Sequence, residues 1–282
     1  MLIIVNFIEK TKYNNKAIYL NNMEKLNFII KSEYLSELTD AINDLTKISE
    51  IVKIKIDKDN IFIYSLVGES VIIAFKSYKL ETNKFFKFKE ELEKPIDFII
   101  LKAKKFVKNV NFLIDQEDIK ATFSYIDRDE DNICARGLRL VNSKFKFTEI
   151  GAENYKIRDI SINMLESILD EDNVDWKFQI SDEDYKSIKK LSSINNEKNI
   201  LNIGTKSGNI IFGEDTTWEI NVGEIAENKK DITFPKKYLK TINNEEDIIN
   251  FYVYETFILF KEGDKNLMVS FEQDFDSEEF DY

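Results

Sequence analysis

Residues 231–273, DITFPKKYLKTINNEEDIINFYVYETFILFKEGDKNLMVSFEQ, supply the pattern against which the rest of the chain is read. The run 231–234 predicts a short strand, and Pro235 suits the first position of a helix because its missing N–H would have no partner there. Residues 236–243 predict a two-turn helix with Tyr238, Leu239 and Ile242 on one face, ended by Asn243 and Asn244. Three strands follow, at 247–254, 257–261 and 266–272, with Glu255-Thr256 and Gly263-Asp264 as turns. The unit is strand, helix, three strands.

The same order occurs three more times upstream, and a recurring period of this kind outweighs any single-element assignment. Residues 176–180 predict a strand and 182–193 a helix, with Ser181 as N-cap and Asp184 three residues on. Strands at 199–205, 209–213 and 217–222 complete that unit. Another consists of a strand at 97–101, a helix at 102–113 and strands at 118–125, 133–141 and 144–149. The first begins at Leu26, continues through a Ser32-capped helix at 33–48, and ends in strands 51–57, 60–66 and 70–78.

The 282 residues include 43% hydrophobic side chains, with 22 Phe and 12 Tyr, enough for packed cores rather than disorder. No apolar run approaches the roughly 20 residues of a membrane-spanning helix, and residues 1–22 lack a signal-peptide pattern, so the cytoplasm is the expected location. There is no histidine and a single cysteine, Cys134. That excludes an internal disulfide, a His-based metal site and a Ser-His-Asp triad. Cys134 falls within an apolar strand pattern and reads as a structural thiol. The eight glycines form neither GxGxxG nor GxxxxGK[ST], so a glycine-rich phosphate cradle is also absent. No cofactor is expected, and nothing in the chain assembles a catalytic constellation.

The formal charge is −12, from 52 acidic and 40 basic residues. Affinity for a phosphate backbone comes from Lys and Arg displacing counterions, so the distribution of charge matters more than its sum. Only Arg128, Arg136, Arg139 and Arg158 are arginines. The cationic chemistry is therefore mostly lysine, a mobile point charge suited to sequence-blind contact. A coding sequence rich in A and T would also enrich Lys, Asn and Ile.

The predicted helices distribute this charge unequally. The first has Leu35, Leu38, Ile42 and Leu45 at core spacing and an acidic line of Glu33, Glu37, Asp40 and Asp44. The second turns Phe106, Val107, Val110 and Leu113 inward and crowds Lys102, Lys104, Lys105 and Lys108 on its other side. The third has Tyr185, Ile188 and Leu191 inward, with Lys186, Lys189 and Lys190 exposed beyond an acidic first turn that complements the helix dipole. The fourth offers Lys236, Lys237 and Lys240. Any one of these faces could be an ordinary solvated surface, but recurrence at equivalent places in the repeat favours a shared anionic partner. Acid is expected at the strand ends, at Asp57, Asp59, Asp127, Asp129, Glu130, Asp131, Glu245, Glu246 and Asp247.

Asp127, Asp129 and Asp131 match the first three ligands of an EF-hand loop, yet Asn132 replaces its glycine and Leu138 its glutamate, so a polar hairpin is expected. Gly204 to Gly208, GTKSG, joins two strand patterns and reads as a hairpin turn. Residues 1–22 precede the repeats and read as an added edge strand or an upstream start, Met23 being a natural beginning. Residues 151–175 read as a connector, with a short helix carrying Ile162, Leu165 and Leu169, between domains at 23–150 and 176–273. Residues 274–282, DFDSEEFDY, read as an acidic tail.

Two βαβββ units per domain, a connector and lysine-bearing helices resemble the DNA sliding clamps, in particular the two-domain, trimeric kind of T-even bacteriophages and the proliferating-cell nuclear antigen type. SDEDYKSIKKLSSI, followed by NILNIGTKSGNIIFG, is similar to the start of the second domain of the phage clamps. The resemblance covers 23–273 and implies an α+β clamp fold with helices on the inner face and curved antiparallel sheets outside. It further implies a non-enzymatic homo-oligomeric ring, closed by strand pairing between subunits, that encircles duplex DNA. By the same resemblance the helix lysines line the channel, and a DNA polymerase and an ATP-driven clamp loader are the partners. The acidic first helix departs from that pattern.

Two other classes fit parts of the sequence. A ring-forming viral structural β-protein would share the sheets but has no need of lysine-bearing helices. An acidic DNA mimic would use the net charge directly, spreading carboxylates over one surface.

Overall fold

The structure is a computed structural model, describing residues 23–69, 72–113, 117–126, 132–152, 173–194, 199–214, 217–242 and 247–270, with 160, 163, 166 and 167 singly. The N-terminal extension, the acidic tail, the Asp127–Asp131 hairpin, Glu245, Glu246, Arg158 and most of the connector lie outside the described residues. Contacts divide the chain into two compact units, one formed by Met1–Ser65 with Tyr78–Asp159, the other by Leu66–Ser77 with Ile160–Tyr282. The segment Leu66–Ser77 falls in the second unit, where buried Lys76 donates its ammonium to the Thr241 carbonyl.

The four repeated units are present in the expected order. In the first repeat, β1 (Glu24–Ile30) leads through a 3-10 turn at Ser32–Tyr34 into α1 (Leu35–Leu45), then β2 (Val52–Ile56), β3 (Asn60–Glu69) and β4 (Ile72–Glu81), of which Leu66–Ser77 belongs to the second unit. A helical turn at Thr82–Phe85 and the short β5 (Phe86–Phe88) precede the second repeat. That repeat comprises β6 (Ile96–Ile100), α2 (Ala103–Asn111), β7 (Ile119–Ile126), β8 (Ile133–Val141) and β9 (Lys146–Ile150). The strands run in the order β3-β2-β6-β8-β7-β1-β5, with β9 beside β8. All described pairings within this order are antiparallel except β6 with β8.

Alternation along the strands sends one set of side chains toward the helices. Phe28, Ile30, Ile54, Ile56, Phe98, Ala121, Phe123, Leu138 and Leu140 meet Leu35, Leu38, Ile42 and Leu45 of α1 and Phe106, Val107 and Val110 of α2 in one core. The two helices pack side by side on this face. At about 25 cal/mol per Å² of buried apolar surface, this cluster is the main stabilising element of the unit.

The second unit contains β10 (Trp176–Ser181), α3 (Asp182–Ile194), β11 (Ile200–Lys206), β12 (Asn209–Gly213) and β13 (Glu219–Glu224). Its second repeat is β14 (Ile232–Pro235), a 3-10 segment (Lys236–Thr241), β15 (Ile248–Val253), β16 (Phe257–Glu262) and β17 (Lys265–Ser270). One sheet runs β10-β15-β16-β17 and another β13-β12-β11-β14. Phe178, Phe212, Phe251 and Phe260 pack ring to ring between 4.7 and 5.9 Å at the centre. Gly208 (φ 81°) and Ser207 (φ 54°) occupy the left-handed region, which makes the expected hairpin between β11 and β12.

Three local expectations need correction. Ser32 is not the cap of the first helix: its N–H donates to Asp118 Oδ1 at 3.0 Å, so a carboxylate distant in sequence supplies that function. The last helix is 3-10 rather than α, being six residues, Lys236–Thr241, between Pro235 and Ile242, too short to repay α-helical nucleation. Asp44 leaves the acidic line of α1, because it is buried, accepts the Tyr78 hydroxyl and pairs with Lys47 at 2.8 Å. The Ser181 cap is as expected: Ser181 Oγ accepts the Asp184 N–H at 3.1 Å and donates to Asp184 Oδ2 at 2.7 Å.

Candidate nucleic-acid interface

The helix α2 begins against the loop between α1 and β2. Glu50 Oε2 accepts the Lys104 N–H at 3.2 Å, and the Ala103 N–H donates to the Glu50 carbonyl at 3.0 Å. An acid from another segment thus caps the positive end of the helix. Lys102, Lys104, Lys105 and Lys108 are all exposed and border one shallow depression with Glu50 and Leu101. Lys104 is held by Glu50 at 3.1 Å, whereas Lys102 and Lys108 have no carboxylate partner among the described residues.

Lys105 faces Glu149 of β9, whose carboxyl is held above its usual range by burial, a shift that Lys105 opposes. A folded-state pKa above the unfolded value contributes stability at acid pH that is lost as the pH rises through the folded value. Glu149→Gln is therefore expected to stabilise the protein at neutral pH and to flatten its stability profile. Urea melts between about pH 4 and 7 test this, and a gain that shrinks with rising pH would contradict it.

On α3, exposed Lys186 and Lys190 share a surface with Asp182, Glu183 and Ser187. Lys186 pairs with Asp182 one turn back, and Lys189 lies over the Tyr185 ring at 4.6 Å, leaving Lys190 as the solvated cation. In the 3-10 segment, Lys237 rests over Tyr238 at 5.0 Å and Lys240 is exposed. Lys236 does not belong with them. Its ammonium is ion-paired with Glu214, the side chains being 11% and 2% exposed, which makes it a packing element of the second unit.

The lysines that recur as solvated cations are thus Lys102, Lys108, Lys190 and Lys240, with Lys105 facing Glu149. Glu33 in the 3-10 turn and Glu37 and Asp40 on α1 remain exposed, and Glu37 pairs with Lys84 at 2.9 Å. Glu50 and Glu149 could not be assigned from the sequence, since their roles arise only when distant strands and helices meet. Among the described residues no His, Cys, Asp or Glu side chains converge on a metal site, and no helix is long and apolar enough to cross a membrane.

No protein-family model matches the sequence, and no curated protein matches it. Solved structures do match. The β chain of DNA polymerase III from Streptococcus pneumoniae superposes with a TM-score of 0.60 at 12% identity, covering 88% of this chain and 65% of that one. Proliferating cellular nuclear antigen from Entamoeba histolytica matches at 0.55 and 15% identity, over 87% of this chain and 97% of the other. A. fulgidus PCNA, solved with the C-terminal region of FEN-1, matches at 0.53 and 12%, over 87% and 97%. The chain has the DNA-clamp fold. It spans about two thirds of the bacterial β chain and nearly the whole length of the two nuclear antigens.

Proposed function

We infer that this protein is a sliding clamp: a non-catalytic ring that encircles duplex DNA and tethers a replicative DNA polymerase. The observation that carries the reading is the recurrence of solvated lysines on α2, α3 and the last 3-10 segment of a clamp fold. Point charges of this kind centre a duplex through weak phosphate contacts, and a closed ring persists on DNA without tight binding. An ATP-driven loader would open the ring, and polymerase and loader would grip its outer side. The near end-to-end match to nuclear antigen chains favours the two-domain, trimeric kind.

Two strand edges support closure. β9 pairs only with β8 and β13 only with β12 among the described strands. Each is packed by a helix of its own unit, α2 and α3 respectively. Each of those helices ends beside an exposed apolar side chain, Phe112 (68% exposed, 6.4 Å from Phe145) and Ile194 (65%). An open edge with apolar flanks is a liability in a lone protomer and a joint in a ring, and head-to-tail pairing of β9 with β13 of the next copy covers both.

The expected solution mass is that of a closed oligomer. Phe145→Asp combined with Ile194→Asp should reduce it to the protomer while leaving the melting temperature of the units nearly unchanged. On DNA, the parent should stay on a circular template after loading and be released when the circle is cut. Equal retention on linear and circular DNA, or a monomeric parent, counts against a clamp.

A further inference from the structure

On the first unit, the side of β5, β1, β7, β8 and β9 that faces away from the helices gathers cations. The register of β5, β1, β7, β8 and β9 aligns Lys87, Ile29, Lys120, Val141 and Lys146 in one transverse row. The next row is Asn27, Thr122, Arg139 and Thr148, and the third is Lys25, Ser124, Gly137 and Ile150. These positions alternate with the core residues Phe28, Phe123 and Leu138, so they face away from α1 and α2. No Asp or Glu occupies any position of the three rows.

Lys25, Lys87, Lys120, Arg139 and Lys146 are all exposed, and none has an ion-pair partner among the described residues. In a chain of net charge −12, carboxylates outnumber cations, and most surface lysines would be expected to find one nearby. With strands about 4.8 Å apart and a rise of about 3.4 Å per residue, the cations of the transverse row stand roughly 10 Å apart on a patch about 20 by 14 Å.

We propose that this face is a second polyanion-binding surface, separate from the helix lysines, that takes the phosphate backbone of duplex nucleic acid. Between the cations lie Asn27, Ser124 and Thr148, neutral side chains that can donate to phosphate oxygens; Thr122 gives its hydroxyl proton to Asn27 Oδ1 at 2.8 Å and so holds that amide with its NH2 free to donate. Four of the five cations are lysines, giving contact without base readout. No aromatic side chain occupies the three rows, so single strands gain no stacking platform here, and the surface suits a duplex. The inference extends the clamp reading by adding contact outside the ring, and it stands or falls on different residues. Lys146, being on the edge strand β9, is left out of the test.

The test uses the full-length protein and small covalently closed circular DNA with no loader, so that threading is not available to a closed ring. The parent should bind the circle weakly and lose about 100-fold in affinity between 50 and 200 mM salt, as four phosphate contacts imply. Lys25→Ala, Lys87→Ala, Lys120→Ala and Arg139→Ala together should abolish that binding and leave the oligomer and loaded retention intact. A Lys102→Glu, Lys108→Glu variant should bind the circle as the parent does. If the fourfold alanine variant holds the circle as tightly as the parent, the proposal is overturned. It is also overturned if the parent ignores DNA but binds polyglutamate in a manner lost in the variant, which would assign the face to an acidic protein segment. Failure of the clamp reading appears separately, as loss of topological retention in the parent.

Discussion

Asp97→Ala should lower the unfolding free energy by about 3–5 kcal/mol, the cost of removing one partner from a buried ion pair. Asp97 lies on β6 directly opposite Lys55 of β2, with Lys53 diagonal to it. Its carboxylate accepts Lys53 at 3.0 Å and Lys55 at 3.1 Å, and none of the three side chains is more than 2% exposed. Alanine leaves two ammonium groups in the interior without the anion they share. In a unit of this size the melting temperature should fall by about 6–20 °C. A single-site variant within about 1 kcal/mol of the parent would show that the cluster contributes little. The functional consequence is positional. β2 follows α1 and β6 precedes α2, so the Lys55–Asp97 pairing fixes the register of the two strands from which both helices are hung.

The parts of the molecule governed by local periodicity could be read from the sequence. The inward stripes of α1 and α2, the order of strands in all four repeats, the Ser181 cap and the Gly208 hairpin depend on residues within a few positions of one another. What could not be read depends on contacts between segments far apart in sequence. Asp118 replaces Ser32 as the partner of a helix start, Glu214 takes Lys236 out of the solvated set, and Tyr78 draws Asp44 into the core. The basic sheet face lies between these cases. The alternation Lys25-Asn27-Ile29 and Lys120-Thr122-Ser124 is visible in the sequence, but only the register places Lys87, Lys120 and Lys146 in one row. A count of charge along the chain therefore carries no information on the sign of that surface.

The same distinction between solvated and internally paired lysines determines which substitutions should break a clamp. Lys102→Glu, Lys108→Glu, Lys190→Glu and Lys240→Glu together exchange four cations for four anions in each protomer without disturbing a described ion pair. Surface changes of this kind usually alter stability by less than about 0.5 kcal/mol each, so fold and oligomer should survive. Loading onto circular DNA and polymerase processivity should be lost at every salt concentration at which the parent shows them, because each phosphate contact removed takes about 0.9 from the salt slope and each glutamate adds repulsion as the duplex enters. Lys236→Ala should behave in the opposite way. It leaves Glu214 buried without its cation, at a cost of about 3–5 kcal/mol, while taking no solvated charge from the proposed channel. If the fourfold variant remains processive, the helices do not face the DNA, and the sheet face of the first unit becomes the remaining candidate for that contact.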